Sequence, residues 1–207
     1  MKGTNVTDQS AESRPAVELG RPSAADVVVE ADRVVELRTQ LVEGLRAEGK
    51  IVSPAVEAAF RSVARERFLP TDVPLETIYA YDDAVVTKRD EHGIALSSVS
   101  AAYIQARMLE QADLRSGMTV LEVGSGGLNA ALIAEIVGPQ GHVVSVDIDG
   151  EITDRAVKLL DGAGYGQSGQ GPGRGRREWH TRRRPVRRHH RGGRGMGHPT
   201  VLVGPAR

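Results

Sequence analysis

Three observations predict an α/β fold built on a parallel sheet. A strand–helix–strand–helix alternation runs from Met118 to Leu160, a glycine cluster sits between its first strand and first helix, and an acid stands at the tip of its second strand. Parallel strands need a crossover between them, and a helix of this length is the usual one.

The elements follow in order. Met1 to about Val29 is rich in Ser, Thr, Ala and acids without apolar periodicity, and residues 1–30 are expected to be a disordered leader. Val34, Val35, Leu37, Leu41, Val42 and Leu45 then recur at helical spacing, and Gly49 stops that helix. Ser53-Pro54 reads as an N-cap followed by Pro at the first helical position, with Val56, Ala59, Phe60 and Val63 facing inward. From Leu69-Pro70 to Gly93 the chain holds turns and short extended pieces such as Ala84-Val85-Val86, and Ser100 to Gln111 is again helical, with Tyr103, Ile104, Met108 and Leu109 apolar. Met118-Thr119-Val120-Leu121-Glu122-Val123 is a short strand running into Gly124-Ser125-Gly126-Gly127. A helix from Asn129 to Val137 is closed by Gly138-Pro139, a strand Val143 to Val146 ends in Asp147, and Glu151 to Leu160 is helical.

With 207 residues, 40% hydrophobic and 26% charged, the composition suits a globular protein with one domain and an extra arm. Cysteine is absent, which excludes disulfides and thiolate metal sites, and no metal site is expected. No apolar run approaches the ~18 residues of a membrane span, and nothing resembles a signal peptide, so a cytoplasmic protein without a membrane partner is expected. The neutral total of 27 basic and 27 acidic residues conceals an asymmetry. From Gln167 onward there are 11 arginines and one acid, Glu178, leaving 16 basic and 26 acidic residues in the body, so the two parts carry near +10 and −10.

A glycine turn between strand and helix lets backbone approach a ligand closely, and the helix start offers free N–H groups. An acid at the next strand's end can accept hydrogen bonds from a ribose diol, and Gly124, Gly126 and Asp147 stand in that relation. A nicotinamide-binding loop would want a third glycine where Asn129 stands, and no Gly-Lys-Ser/Thr follows to make a P-loop.

The phrase Val120-Leu121-Glu122-Val123-Gly124-Ser125-Gly126 resembles motif I of class I methyltransferases, with Leu128 where a third glycine is common. Three upstream stretches narrow the resemblance. Ala58 to Pro70 is similar to the "AF..V.RE.F.P" element of the protein-L-isoaspartate O-methyltransferase family, Tyr79-Ala80-Tyr81-Asp82-Asp83 to its "YAY.D" segment, and Ser98 to Met108 to its "TIS.P..A.M" element. The ordered matches span Ile51 to Tyr165. The resemblance implies a Rossmann-like class I methyltransferase sheet, C-terminally incomplete, over residues 31–166. It implies S-adenosyl-L-methionine held by Glu122, Gly124, Ser125, Gly126 and Asp147, and Ser100 near the reacting carboxylate. It also implies a protein or peptide partner carrying L-isoaspartyl residues, and a monomer. The family's Pro two residues after that hydroxyl is Ala102 here. Asp83 to Asp90, with Gly124-Ser125-Gly126-Gly127, also resembles a methyltransferase branch found with actinobacterial lanthipeptide clusters, the FxLD system, whose substrate is a modified peptide.

Residues 167–207 are Gly-, Arg- and His-rich without an apolar period and are expected to be irregular and disordered. One reading is a nucleic-acid-binding arm using Arg182-Arg183-Arg184 and Arg187 to Arg191, though Trp179 is its only aromatic residue. Another is a solvated linker. The favoured one is a frameshift. Met196-Gly197 must be encoded ATG-GGN, which read one base later gives Trp, and the same frame through Val186-Arg187-Arg188-His189-His190 permits Phe/Tyr-Asp-Ala-Ile-Ile. That is the "FD.II" strand the family pattern would place there. Nucleic acid is then not an expected partner, and a chain lacking those strands is expected to be poorly stable and weakly active.

Overall fold

The computed structural model describes residues 24–124, 126–166 and 200–204, the last segment and residues 24–29 by their backbone. The first helix, α1 (Ala24–Ala47), begins earlier than the leader boundary at residue 30, because Ala24, Ala25, Glu30 and Ala31 all favour helix. Leu37, Leu41, Val42 and Leu45 form its buried stripe, whereas Val35 is turned outward and is 59% exposed. Residues 1–23 lie outside the described residues.

Helix α2 (Pro54–Ser62) is capped by Ser53, whose Oγ accepts from Val56 N at 3.3 Å, and Val56, Ala59, Phe60 and Val63 are all buried. The stretch expected to hold only turns and extended pieces contains a 3-10 turn, Arg65–Phe68, and a short helix, α3 (Leu75–Ile78). Strands β1 (Val85–Arg89) and β2 (Ala95–Val99) follow as an irregular antiparallel hairpin. Helix α4 (Ala102–Gln111) buries Ala102, Gln105, Ala106 and Leu109, whereas Tyr103, Ile104 and Met108 are only partly buried. The two small alanines let it lie close against α2, and Gln105 is drawn inside by a buried guanidinium.

The main sheet has the order β4-β3-β5. Strand β3 (Thr119–Val123) runs into helix α5 (Leu128–Val137), which returns to β4 (His142–Val146), and these two strands are parallel with Val123 opposite Val146. Helix α5 is buried on all sides except at Glu135, because it lies between the sheet and α2. Helix α6 (Gly150–Gly162) is capped by Asp149 and buries Thr153, Ala156 and Leu160. The arginine-rich segment expected to be irregular lies outside the described residues from 167 to 199 and from 205 to 207. Between them, β5 (Thr200–Gly204) pairs antiparallel with β3, where the sequence reading has no strand. The β-prone run Val201-Leu202-Val203 finds the open edge of β3, and an unpaired edge is a template for such a segment. Among the described residues no helix is long and apolar enough to cross a membrane.

Candidate active site

Parallel pairing puts the carboxyl ends of β3 and β4 side by side, and in open α/β sheets ligands bind beyond those ends. Gly124 and Asp147 are therefore brought together by the register alone, each one residue past the facing pair Val123 and Val146. Gly124 has φ +91° and its N–H donates to the Val146 carbonyl at 2.9 Å, which bends the chain sharply off the strand end. Gly127, with φ +92°, begins α5 against Phe68 and Ala156, so the positive-φ positions among the loop's described residues are both glycine. Ser125, expected in the same loop, lies outside the described residues.

Asp147 is half-buried, and its Oδ1 accepts from Asp149 N at 2.9 Å, which fixes the carboxylate at the strand tip. Ile148, between those two acids, is 92% exposed, and the sequence reading passed over it. An apolar residue standing alone between acids just past a strand was the available signal. Glu122, expected to contact the cofactor, stands at the fourth position of β3. It has no exposed surface, and it accepts a hydrogen bond from Ser145 Oγ directly across the β3–β4 ladder. Its carboxylate therefore lies beneath the loop. Asn129, in the first turn of α5, is also buried, and neither amide atom is hydrogen-bonded among the described residues.

Ser100, expected near the reacting carboxylate, follows the hairpin. The last residue of β2, Val99, reaches to within 3.8 Å of the position a Cβ would take on Gly126, so Ser100 follows at the rim of the glycine loop. Ser100 is buried, and it does not cap α4: the cap position is Ala101, without a side-chain hydrogen bond. Arg65 Nη2 donates to the Ser100 carbonyl at 3.0 Å. The hairpin is tied to α6 through Lys88, whose Nζ lies 2.6 Å from Asp149 Oδ2 and 2.7 Å from Glu151 Oε2. Arg155 of α6 donates to the Thr87 carbonyl and the Phe68 carbonyl, both at 3.2 Å. Lys88 beside it holds the Asp149 carboxyl below its ordinary value, and its own ammonium is raised by the same contact. Nearby, the Tyr81 and Tyr103 rings stack at 5.4 Å, closing the Tyr79–Asp83 segment onto α4. Among the described residues no group of acids and histidines could hold a metal ion.

A parallel β–α–β unit, a glycine loop at the first strand's end and an acid at the second's define the α/β fold of class I methyltransferases. The protein-L-isoaspartate(D-aspartate) O-methyltransferase family model matches residues 36–190, past the point at Gln167 where its motifs cease to be recognisable. The chain belongs to that family. It is 39% identical over 133 residues to a protein-L-isoaspartate O-methyltransferase of Methanothermobacter thermautotrophicus, covering 64% of this chain and 58% of the relative. It is 40% identical over 131 residues to protein-L-isoaspartate O-methyltransferase 2 of Archaeoglobus fulgidus, covering 63% and 56%. The chain thus spans little more than half the length of these relatives. A solved protein-L-isoaspartate O-methyltransferase superposes with a TM-score of 0.54 at 33% identity, covering 60% of this chain and 38% of that one. A Plasmodium falciparum structure described as a beta-aspartate methyltransferase in complex with S-adenosyl-L-homocysteine shares the fold, with a TM-score of 0.55 at 15% identity over 72% and 63% of the two chains.

Proposed function

We propose that this chain is an S-adenosyl-L-methionine-dependent carboxyl methyltransferase acting on L-isoaspartyl, or related aspartyl, residues of a protein or peptide. The observation that supports the reading is the approach of Val99 to Gly126, 3.8 Å from where a Cβ would stand, which brings the chain at Ser100 to the rim of the glycine loop. The names of the relatives point to the same reaction.

The residues present fit the cofactor. Gly124 and Gly127 shape a loop whose backbone a ligand can approach, Asp147 offers carboxylate oxygen to ribose hydroxyls, and exposed Ile148 offers an apolar face to a purine. Glu122 belongs to the cofactor site as well, its buried carboxylate held at the β3 end by the Ser145 hydroxyl of β4. When bound, S-adenosyl-L-methionine supplies an electrophilic methyl group on a sulfonium. A carboxylate acceptor is nucleophilic as it stands at neutral pH, so the chain has no need of a strong general base. Its work is alignment and exclusion of water. Ser100 donates a hydrogen bond to one oxygen of the acceptor carboxylate, which leaves the other free to face the methyl group. The β1–β2 hairpin is clasped by Lys88 to Asp149, two residues past Asp147, and to Glu151 of α6.

We expect slow turnover, because among the described residues the strand that carries the loop has on its second edge only the five-residue antiparallel β5. A cytoplasmic protein working as a monomer goes with this reading. The test is incubation of the chain with methyl-labelled cofactor and an isoaspartyl peptide, alongside its aspartyl counterpart and a lanthipeptide-type precursor. The expected result is S-adenosyl-L-homocysteine binding by calorimetry and a base-labile methyl ester on the isoaspartyl peptide. Absence of cofactor binding overturns the reading, and esterification of the precursor alone changes the substrate class.

A further inference from the structure

Arg65, in the 3-10 turn after α2, is only 4% exposed. Its Nε donates to the Ile78 carbonyl at 2.7 Å, Nη1 to Gln105 Oε1 at 2.5 Å and Nη2 to the Ser100 carbonyl at 3.0 Å. All three acceptors are neutral, and among the described residues no carboxylate forms an ion pair with this guanidinium. The adjacent Glu66 is turned away, pairing with Arg38 at 3.5 Å and accepting from the Tyr79 hydroxyl. Burial lowers the Arg65 guanidinium to about 10, which leaves it cationic at neutral pH.

A desolvated cation without a counter-ion is costly, and buried charges are normally paired. Hydrogen bonding alone does not account for it, since neutral donors can satisfy two carbonyls and an amide. The position of the charge does. It touches the backbone of Ser100 itself, so a carboxylate hydrogen-bonded to the Ser100 hydroxyl would lie within about 10 Å of it through protein, where a charge is screened far less than in water.

We propose that Arg65 is the positioning residue of the acceptor site: it fixes the Ser100 backbone and supplies the unneutralised positive charge that selects an acceptor carboxylate over its amide. The inference rests on the acceptor reading above. It adds the residue that sets charge selectivity, in the 3-10 turn whose Phe68 packs beside Gly127.

The test measures, on the full chain saturated with S-adenosyl-L-homocysteine, the affinity of an isoaspartyl peptide and of the same peptide with the reacting carboxylate amidated. No turnover is required. The wild type is expected to prefer the carboxylate by about ten-fold. Arg65→Lys should keep most of that preference. Arg65→Met should reduce it to within about two-fold, with a smaller change in S-adenosyl-L-homocysteine affinity. A purely structural role would weaken both peptides equally and leave their ratio unchanged, which overturns the proposal. The wild-type preference should also persist between low and high salt, because a buried charge is little screened. Its collapse in salt overturns the proposal even if Arg65→Met does not fold. A wild type that binds S-adenosyl-L-homocysteine but shows no preference overturns the acceptor reading and this inference together. A preference that survives in a folded Arg65→Met variant overturns the assignment of Arg65 alone.

Discussion

At the scale of single residues, Gly127 is the position where backbone conformation and packing make the same demand. Its φ of +92° disfavours any side chain, and a Cβ there would lie 3.3 Å from Phe68 Cδ1. Gly127→Ala is therefore expected to destabilise the protein by about 1–3 kcal/mol and to weaken S-adenosyl-L-homocysteine binding, as calorimetry of both transitions would show. Equal stability would mean that the loop is not held against Phe68. Tyr79 makes a second residue-scale prediction. Burial, with the hydrogen bond to Glu66 adding to it, pushes its phenol up to about 12. The folded state then holds its proton after the unfolded state has lost it, so stability is fully present below pH ~10 and falls as the pH rises toward 12. Absorbance titration of the phenolates, compared between wild type and Tyr79→Phe, should show one tyrosine ionising late in the wild type and the alkaline loss of stability reduced in the variant.

At the scale of elements, the hairpin and α6 are separate in sequence and are held together by polar contacts. Lys88 bridges Asp149 and Glu151, and Arg155 reaches back to the carbonyls of Thr87 and Phe68. Lys88→Ala should leave the fold intact, speed amide exchange in β1 and β2, and lower cofactor affinity. High salt should bring the wild type toward the variant, since the bridge is partly exposed. The pH dependence has a definite sign. Asp149 is depressed by Lys88, so the clasp contributes fully above the ordinary carboxyl value and is lost only as pH falls through the lower folded value. The melting difference between wild type and Lys88→Ala should therefore stay constant through neutral pH and shrink below about pH 4.

At the scale of the molecule, the three-stranded sheet depends on a strand from the far end of the chain. Helix α5 covers β3 on its face, but its edge away from β4 is occupied by β5 alone among the described residues. Deleting residues 200–207 should speed amide exchange across Thr119–Val123 and lower the melting temperature of the whole chain. Unchanged exchange would mean that β5 does not hold that edge in solution. Ligand linkage gives a complementary reading: S-adenosyl-L-homocysteine at 100 times its Kd should stabilise the folded state by about 2.7 kcal/mol.

Much of this architecture was legible residue by residue. The strand ending at Val123, the glycine turn, α5 closing at Gly138, β4 and the acid after it are local features, written in apolar periodicity, left-handed backbone positions and caps. The capping of α2 by Ser53 is of the same kind. Other features were not legible. Strand β5 owes its strand form to β3, far back in the chain, and β2 to its hairpin partner β1, and five residues alone specify neither. The inward face of α4 is set by Arg65, because a polar Gln105 reads as surface until a buried guanidinium requires its oxygen. The burial of Glu122 follows from its register with Ser145, which exists only once β3 and β4 pair. Sequence by itself determined the glycine turn and the acid proposed to hold the cofactor, since one β–α–β unit builds them from nearby residues. Tertiary structure decided the surroundings of Ser100, because only long-range packing brings Val99 to Gly126 and sets behind Ser100 a guanidinium with no ion pair among the described residues.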